Sequence, residues 1–142
     1  MSVARNVAWV LGGLLALAGI AIGGLWFLGA GGCGNQVLSE VSSPDRNLKV
    51  VVFQRDCGAT TGFSTQASLL ESDQMLGNGA GNIFVADTDH GAAPSGPGGG
   101  PELHVAWDDN RSVTLSHDSR VRVFKAERLK HGVSLTYQST GS

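Results

Sequence analysis

The chain holds 142 residues, with ten Lys and Arg against twelve Asp and Glu, for a net charge of −2. That balance gives no basic footprint for nucleic acid, and the length leaves room for one small domain beside a leader. The two cysteines form no CxxC pair that a structural zinc would use.

Residues 7–30 (VAWVLGGLLALAGIAIGGLWFLGA) form a 24-residue stretch without a charge. About 20 apolar helical residues cross a bilayer, whereas the apolar part of a cleaved signal peptide runs about 7–15, so the length predicts a retained transmembrane helix. Trp26 and Phe27 fall where an interfacial aromatic anchor belongs, and Gly12, Ala16, Gly19 and Gly23 share one helical stripe suited to helix–helix self-association. Arg5 precedes the stretch and residues 33–44 carry Glu40 but no Lys or Arg. The positive-inside rule then predicts a single-pass protein of a bacterial inner membrane, its N-terminus cytoplasmic and the rest extracytoplasmic (periplasmic).

Residues 1–32 are thus read as the anchor and 33–142 as one extracytoplasmic domain. Cys33 and Cys57 both lie beyond the membrane, where thiols oxidise, and a disulfide is their natural pairing. A competing reading starts from Ala30-Gly31-Gly32, small residues before Cys33 as lipoprotein processing requires, although the usual Leu three positions before the cysteine is missing. Lipidation of Cys33 and the disulfide exclude one another, and the sequence leaves both open.

Beyond the turn 42–47, the pattern predicts strands at 48–54 (LKVVVFQ), 63–70, 82–86, 102–107, 112–116, 120–125 and 133–138. The first two would pair as a hairpin, the fourth and fifth would pair across the turn 108–111, and the last two would pair with each other. Residues 91–101 (GAAPSGPGGGP) read as a flexible surface loop. Without an amphipathic helix, seven short strands indicate an all-β fold, a small antiparallel β-sandwich or open barrel. Its core would hold Val50, Val52, Phe63, Ile83, Val85, Val105, Trp107, Leu115, Val121, Val123, Leu135 and Tyr137. His104 and His117 would face solvent, and His131 would sit in a turn with Gly132.

Charge is uneven. Residues 35–109 hold ten acids and three bases, residues 110–142 six bases and two acids. The two halves can face each other across the fold. Alternatively Arg120, Arg122, Lys125, Arg128 and Lys130 form a surface for lipid headgroups or an acidic partner, with 120 and 122 on one strand face.

The block Arg55-Asp56-Cys57-Gly58-Ala59-Thr60-Thr61-Gly62-Phe63-Ser64, with Cys33-Gly34-Asn35, residues 81–87 and His90-Gly91, resembles a bacterial family of small membrane-anchored proteins with an RDCGATTGFS-type signature. The family has no established activity, so the resemblance implies a location and a fold class. It also sets a stem cysteine beside the signature cysteine, in favour of the disulfide. Where that pattern has Gly after Pro-Asp, this chain has Arg46.

Two clusters can carry chemistry. Cys57 beside Arg55, with His90 as base, has the makings of a thiolate nucleophile. Asp87, Asp89 and His90 are weak metal candidates through oxygen and imidazole, though three ligands in turn-forming Asp-Thr-Asp-His-Gly are few. Gly77–Gly81 precedes a strand and is no nucleotide loop, and no GxSxG elbow occurs. No cofactor is implied. The expectation is a non-catalytic binding or interaction module, or an accessory subunit of an envelope complex, with the membrane and an unidentified protein as partners. An envelope lipoprotein and a thiol- or metal-dependent enzyme are the alternatives.

Overall fold

The structure is a computed structural model describing residues 7, 12–17, 19–20, 32–58 and 61–141. The chain divides into two units, residues 1–32 and 33–142. The expected span over 7–30, with Gly23, Trp26 and Phe27, lies largely outside the described residues, while residues 7, 12–17 and 19–20 are helical. Among the described residues no helix is long and apolar enough to cross a membrane.

The second unit is all β. Its strands are β1 (Gly34–Ser42), β2 (Leu48–Asp56), β3 (Ser64–Glu71), β4 (Phe84–Asp87), β5 (Leu103–Asp109), β6 (Ser112–Asp118), β7 (Arg122–Ala126), β8 (Leu129–Lys130) and β9 (Val133–Thr140). They form a five-stranded sheet in the order β1-β2-β3-β4-β7 and a four-stranded sheet in the order β5-β6-β9-β8. Every ladder is antiparallel except β6–β9, which is parallel.

The run Val50-Val51-Val52-Phe53 in β2 is buried throughout. Side chains alternate across a strand, so Val50 and Val52 reach a core that both sheets supply, with Leu69 and Phe84 from one and Val113, Leu115 and Leu135 from the other. Val51 and Phe53 point the opposite way and pack with Leu70 beneath Leu76. A continuous apolar run is the mark of a strand covered on both faces, and burying each large side chain contributes about 1.5–3 kcal/mol.

Two aromatic tips tie the sheets together. The indole of Trp107 on β5 donates to Val41 O on β1 at 3.0 Å. The Tyr137 hydroxyl on β9 donates to Ile83 O at 3.0 Å and Glu127 O at 2.8 Å, beside the first sheet. Buried aromatics with a polar tip need such a partner, and here the partner lies on the other sheet.

Several expectations change. Strands β1 and β8 add to the seven foreseen, and β7 does not pair with β9: it closes the first sheet against β4, while β9 inserts between β6 and β8. The assembly is therefore not purely antiparallel. Phe63 (45 % exposed) and Val123 (40 % exposed) leave the expected core, Phe63 because it precedes β3 and Val123 because it sits on an edge strand. His117 is buried instead of facing solvent, because it is an inward position of β6, stacked on Phe84 with ring centroids 5.4 Å apart.

Residues 91–101 do not stand off the domain. Ala93 is buried, Ser95 bridges to Pro101, and Gly96 N donates to Gly100 O at 2.7 Å. A Cβ at Gly100 would lie 2.8 Å from Thr65 N, so glycine here lets the segment press its backbone onto β3. His131-Gly132 does form a turn: φ values of 46° and 73° between paired Lys130 and Val133 give the two-residue, doubly left-handed loop that fits a twisted hairpin.

Candidate functional site

One transverse row of the first sheet collects most of the residues singled out from sequence. The pairs Asn35–Arg55, Arg55–Ser64, Ser64–Asp87 and Asp87–Arg122 run from β1 to β7 at the end where Cys33 enters the domain. There Cys33 and Cys57 are joined in a disulfide just past the last pair of the β1–β2 ladder. Among the described residues no cysteine is free.

The bridge removes the Cys57 thiol that nucleophilic chemistry would need. Arg55 is also committed elsewhere: its guanidinium donates to Asn35 Oδ1 at 2.7 Å, Asn78 O at 3.0 Å and Gly79 O at 3.2 Å. It thereby pins the 77–79 segment against β1. Asp56 accepts from Gly58 N at 2.9 Å and shapes the turn that follows.

Asp87, Asp89 and His90 do come together, around a residue that sequence reasoning assigned elsewhere. Arg122 forks onto Asp87, with Nη2 to Oδ2 at 2.5 Å and Nε to Oδ1 at 3.2 Å. Its Nη1 lies 3.8 Å from Asp89 Oδ1 and 3.4 Å from His90 Nε2. The guanidinium carbon stands 5.0 Å above the Phe124 ring. Asp89 and His90 take left-handed φ values of 48° and 56°, and Asp89 N donates to Asp87 Oδ1 at 2.8 Å. Partial burial pushes the Asp87 carboxyl upward, but the Arg122 and Asp89 hydrogen bonds outweigh it and hold it below the usual carboxylate range.

A guanidinium thus already supplies the positive charge between the two carboxylates. Among the described residues no three His, Cys, Asp or Glu side chains are gathered to hold a metal ion, so the weak metal assignment to Asp87, Asp89 and His90 is withdrawn. What remains is an ion-paired rim beside a hollow of about 280 Å³ that Phe63, Thr88, Gly99 and Arg122 help to line. A second, smaller hollow of about 150 Å³ lies on the other sheet's side, where Ser95, Glu102, His104, Asp118 and Thr140 converge.

The five basic residues do not make one surface. Arg120 lies in the turn before β7, not on its face, and donates to both carboxylate oxygens of Asp118 at 2.9 and 2.8 Å. Those hydrogen bonds bring Asp118 down to about 2. Lys125 donates to Gly81 O at 3.0 Å, and Arg128 and Lys130 fall at the opposite end, beyond β7. Of the small-residue stripe, Gly12, Ala16 and Gly19 are helical and exposed, and Gly23 is outside the described residues.

Arg122 could have been found from sequence only by knowing that β7 pairs with β4, which no local pattern encodes. No protein-family model, no curated protein and no solved structure matches the chain.

Proposed function

We propose that the chain is a single-pass protein of a bacterial inner membrane, held by residues 7–30 with its N-terminus inside, and that residues 33–142 form a non-catalytic binding module outside. The module would serve alone or as an accessory subunit of an envelope complex, in keeping with the resemblance of its 55–64 block to small membrane-anchored proteins. Its two sheets, which share one core, are taken to pack as a β-sandwich. The observation that carries the reading is the Cys33–Cys57 bridge, three residues beyond a 24-residue uncharged stretch. Structural disulfides persist in oxidising compartments, and a stretch of that length fits a retained span.

The non-catalytic part rests on how the titratable groups are spent. The Cys57 sulfur is bonded, Arg122 satisfies Asp87, and His90 accepts from the same guanidinium. The lipoprotein reading draws on Ala30-Gly31-Gly32 before Cys33, but its thioether would need the sulfur that the bridge uses. Thiol titration of the full chain, denatured without reductant, with intact mass and alkaline extraction of membranes, tests these readings. No free thiol, the unmodified mass and retention in the membrane pellet are expected. One free thiol with an acyl mass increment would replace the anchor by a lipid.

A further inference from the structure

The segment between β3 and β4 is strapped to the outward side of the first sheet by side chains that grip its backbone. Leu76 covers Val51, Phe53 and Leu70. Asn35 Nδ2 donates to Gly77 O at 3.0 Å and to Gly79 O at 2.7 Å, and the Arg55 guanidinium donates to Asn78 O at 3.0 Å and Gly79 O at 3.2 Å. Further on, Gly81 N donates to Gln66 Oε1 at 2.7 Å and Lys125 Nζ to Gly81 O at 3.0 Å. Asn78 and Gly79 form an exposed bend in the middle of this strap.

Asn78 differs from the other asparagines among the described residues. Asn35, Asn47, Asn82 and Asn110 all spend their side-chain amides: Asn47 Nδ2 donates to Asp45, Asn110 Oδ1 accepts from Asp45 N, and Asn82 is held at both ends by Leu69. The nitrogen that follows Asn82 is spent too, since Ile83 N donates to Ala67 O at 3.1 Å. Among the described residues the Asn78 side chain has no hydrogen-bond partner, and Gly79 N donates to no protein acceptor. Nothing stands within 4 Å of a Cβ placed at Gly79, so a ring can close there without a clash.

We propose that Asn78 is a site of self-modification, in which its side-chain amide closes onto Gly79 N and opens to an isoaspartyl link with help from Arg55. Gly79 N first loses its proton to solvent, and the negative charge spreads onto Asn78 O. That oxygen already accepts from the Arg55 guanidinium, and a charged donor favours the anion over the neutral amide. The nitrogen then bonds to Asn78 Cγ, and Nδ2 leaves as ammonia, taking up a proton. Water next adds to a carbonyl of the five-membered imide. Arg55 polarises the carbonyl at Asn78 O, so addition is directed there: the bond from that carbon to Gly79 N breaks, and the nitrogen stays on Cγ and regains a proton. Water is the only co-reactant, ammonia the only product released, and the new carboxylate forms against Arg55. The main chain then carries one extra carbon between Gly77 O and Gly79 O, so the Asn35 amide no longer spans both and the strap loosens.

The test is peptide mapping by mass spectrometry of the full chain in micelles, aged at neutral pH in heavy-oxygen water beside a synthetic peptide of residues 74–83. Label should enter at position 78 and not at Asn35, Asn47, Asn82 or Asn110. The isoaspartyl share, read with an isoaspartyl-specific methyltransferase, should exceed that of the peptide, which lacks Arg55. Arg55→Met should slow the reaction about fivefold or more, the gap between a charge-assisted hydrogen bond and none, while Arg55→Lys keeps most of the rate. Asn35→Ala, which frees the strap but leaves the guanidinium, should not slow it. The proposal is overturned if position 78 stays intact while the peptide converts, or if chain and peptide give equal isoaspartyl shares, a readout that needs no variant. It is equally overturned if Arg55→Met reacts as fast as the unaltered chain, or if Asn35→Ala slows the reaction as much as Arg55→Met does.

Discussion

Replacing Tyr137 with Phe removes one hydroxyl and leaves the ring, which stacks on Phe84 at 5.6 Å, in place. The hydroxyl bridges Ile83 O and Glu127 O, across from its own sheet. A net hydrogen bond is worth about 1 kcal/mol, and a buried acceptor left orphaned costs about 1–3 kcal/mol. Neither carbonyl is orphaned here, because Ile83 O also accepts from Glu127 N at 2.9 Å and Glu127 O is exposed to water. The expected loss is therefore about 1 kcal/mol, or about 4–5 °C in Tm for a domain near 100 residues. Burial, with a smaller push from Glu127, raises the Tyr137 hydroxyl to about 12. A raised pKa contributes stability that is complete below the unfolded value of about 10 and is lost as pH climbs through the folded one. Urea unfolding of the full chain in micelles should thus show Tyr137→Phe less stable at neutral pH, with the gap closing from about pH 10 to 12. An equally stable variant, or a gap that widens toward pH 12, would refute the role given to this bridge.

Arg46 sits at φ 58°, where a side chain is strained, so Arg46→Gly should raise stability by about 0.5–1 kcal/mol in the same assay, and a loss would mean the turn is not left-handed. A Cβ at Gly81 would lie 2.5 Å from Phe84 O and 2.8 Å from Ala67 O, whereas nothing stands within 4 Å of one at Gly79. Gly81→Ala should therefore cost about 1–3 kcal/mol and Gly79→Ala almost nothing; equal effects would contradict the packing. Because Arg120 holds Asp118 at about 2, that carboxylate's contribution to stability is present above about pH 4 and fades as pH falls through 2. Asp118→Asn should flatten this part of the acid limb in pH-dependent unfolding, and an unchanged limb would count against it.

The strands that read clearly from sequence are those whose own side chains declare two covered faces or one. The VVVF run of β2 and the Asp109–Ser112 hairpin need no knowledge of distant partners. Strand β1 escaped because its burial follows no period of two: it is an edge strand with Val37 and Leu38 exposed and a bulge between Val37 and Ser39. Both β7 and β9 alternate, but alternation says only that one face is covered, not by which sheet, and so their mutual pairing was misread. The same blindness hid Arg122, whose carboxylate partner on β4 lies 35 residues away. Residues 91–101 misled through composition, since Gly100 is selected by the backbone of Thr65 and not by flexibility. The cysteine bridge was legible as one of two exclusive outcomes, because oxidation depends on compartment while lipidation depends on a processing signal that this chain only half carries.

The place of β9 in the second sheet sets an order of events during synthesis. Strands β1 to β3 are neighbours in both chain and sheet, so they can associate as soon as they emerge. Strand β6 emerges with Val113 and Leu115 uncovered on one side, and its remaining neighbour, residues 133–140, is made last among the strands. Until then β8 has nothing to pair with and Tyr137 cannot bridge to the first sheet. Cys33 and Cys57, separated by 24 residues, can meet well before that moment. The covalent clasp is thus available to a nascent chain whose second sheet is still open, and completion of the domain waits on a parallel pairing that cannot nucleate as a local hairpin.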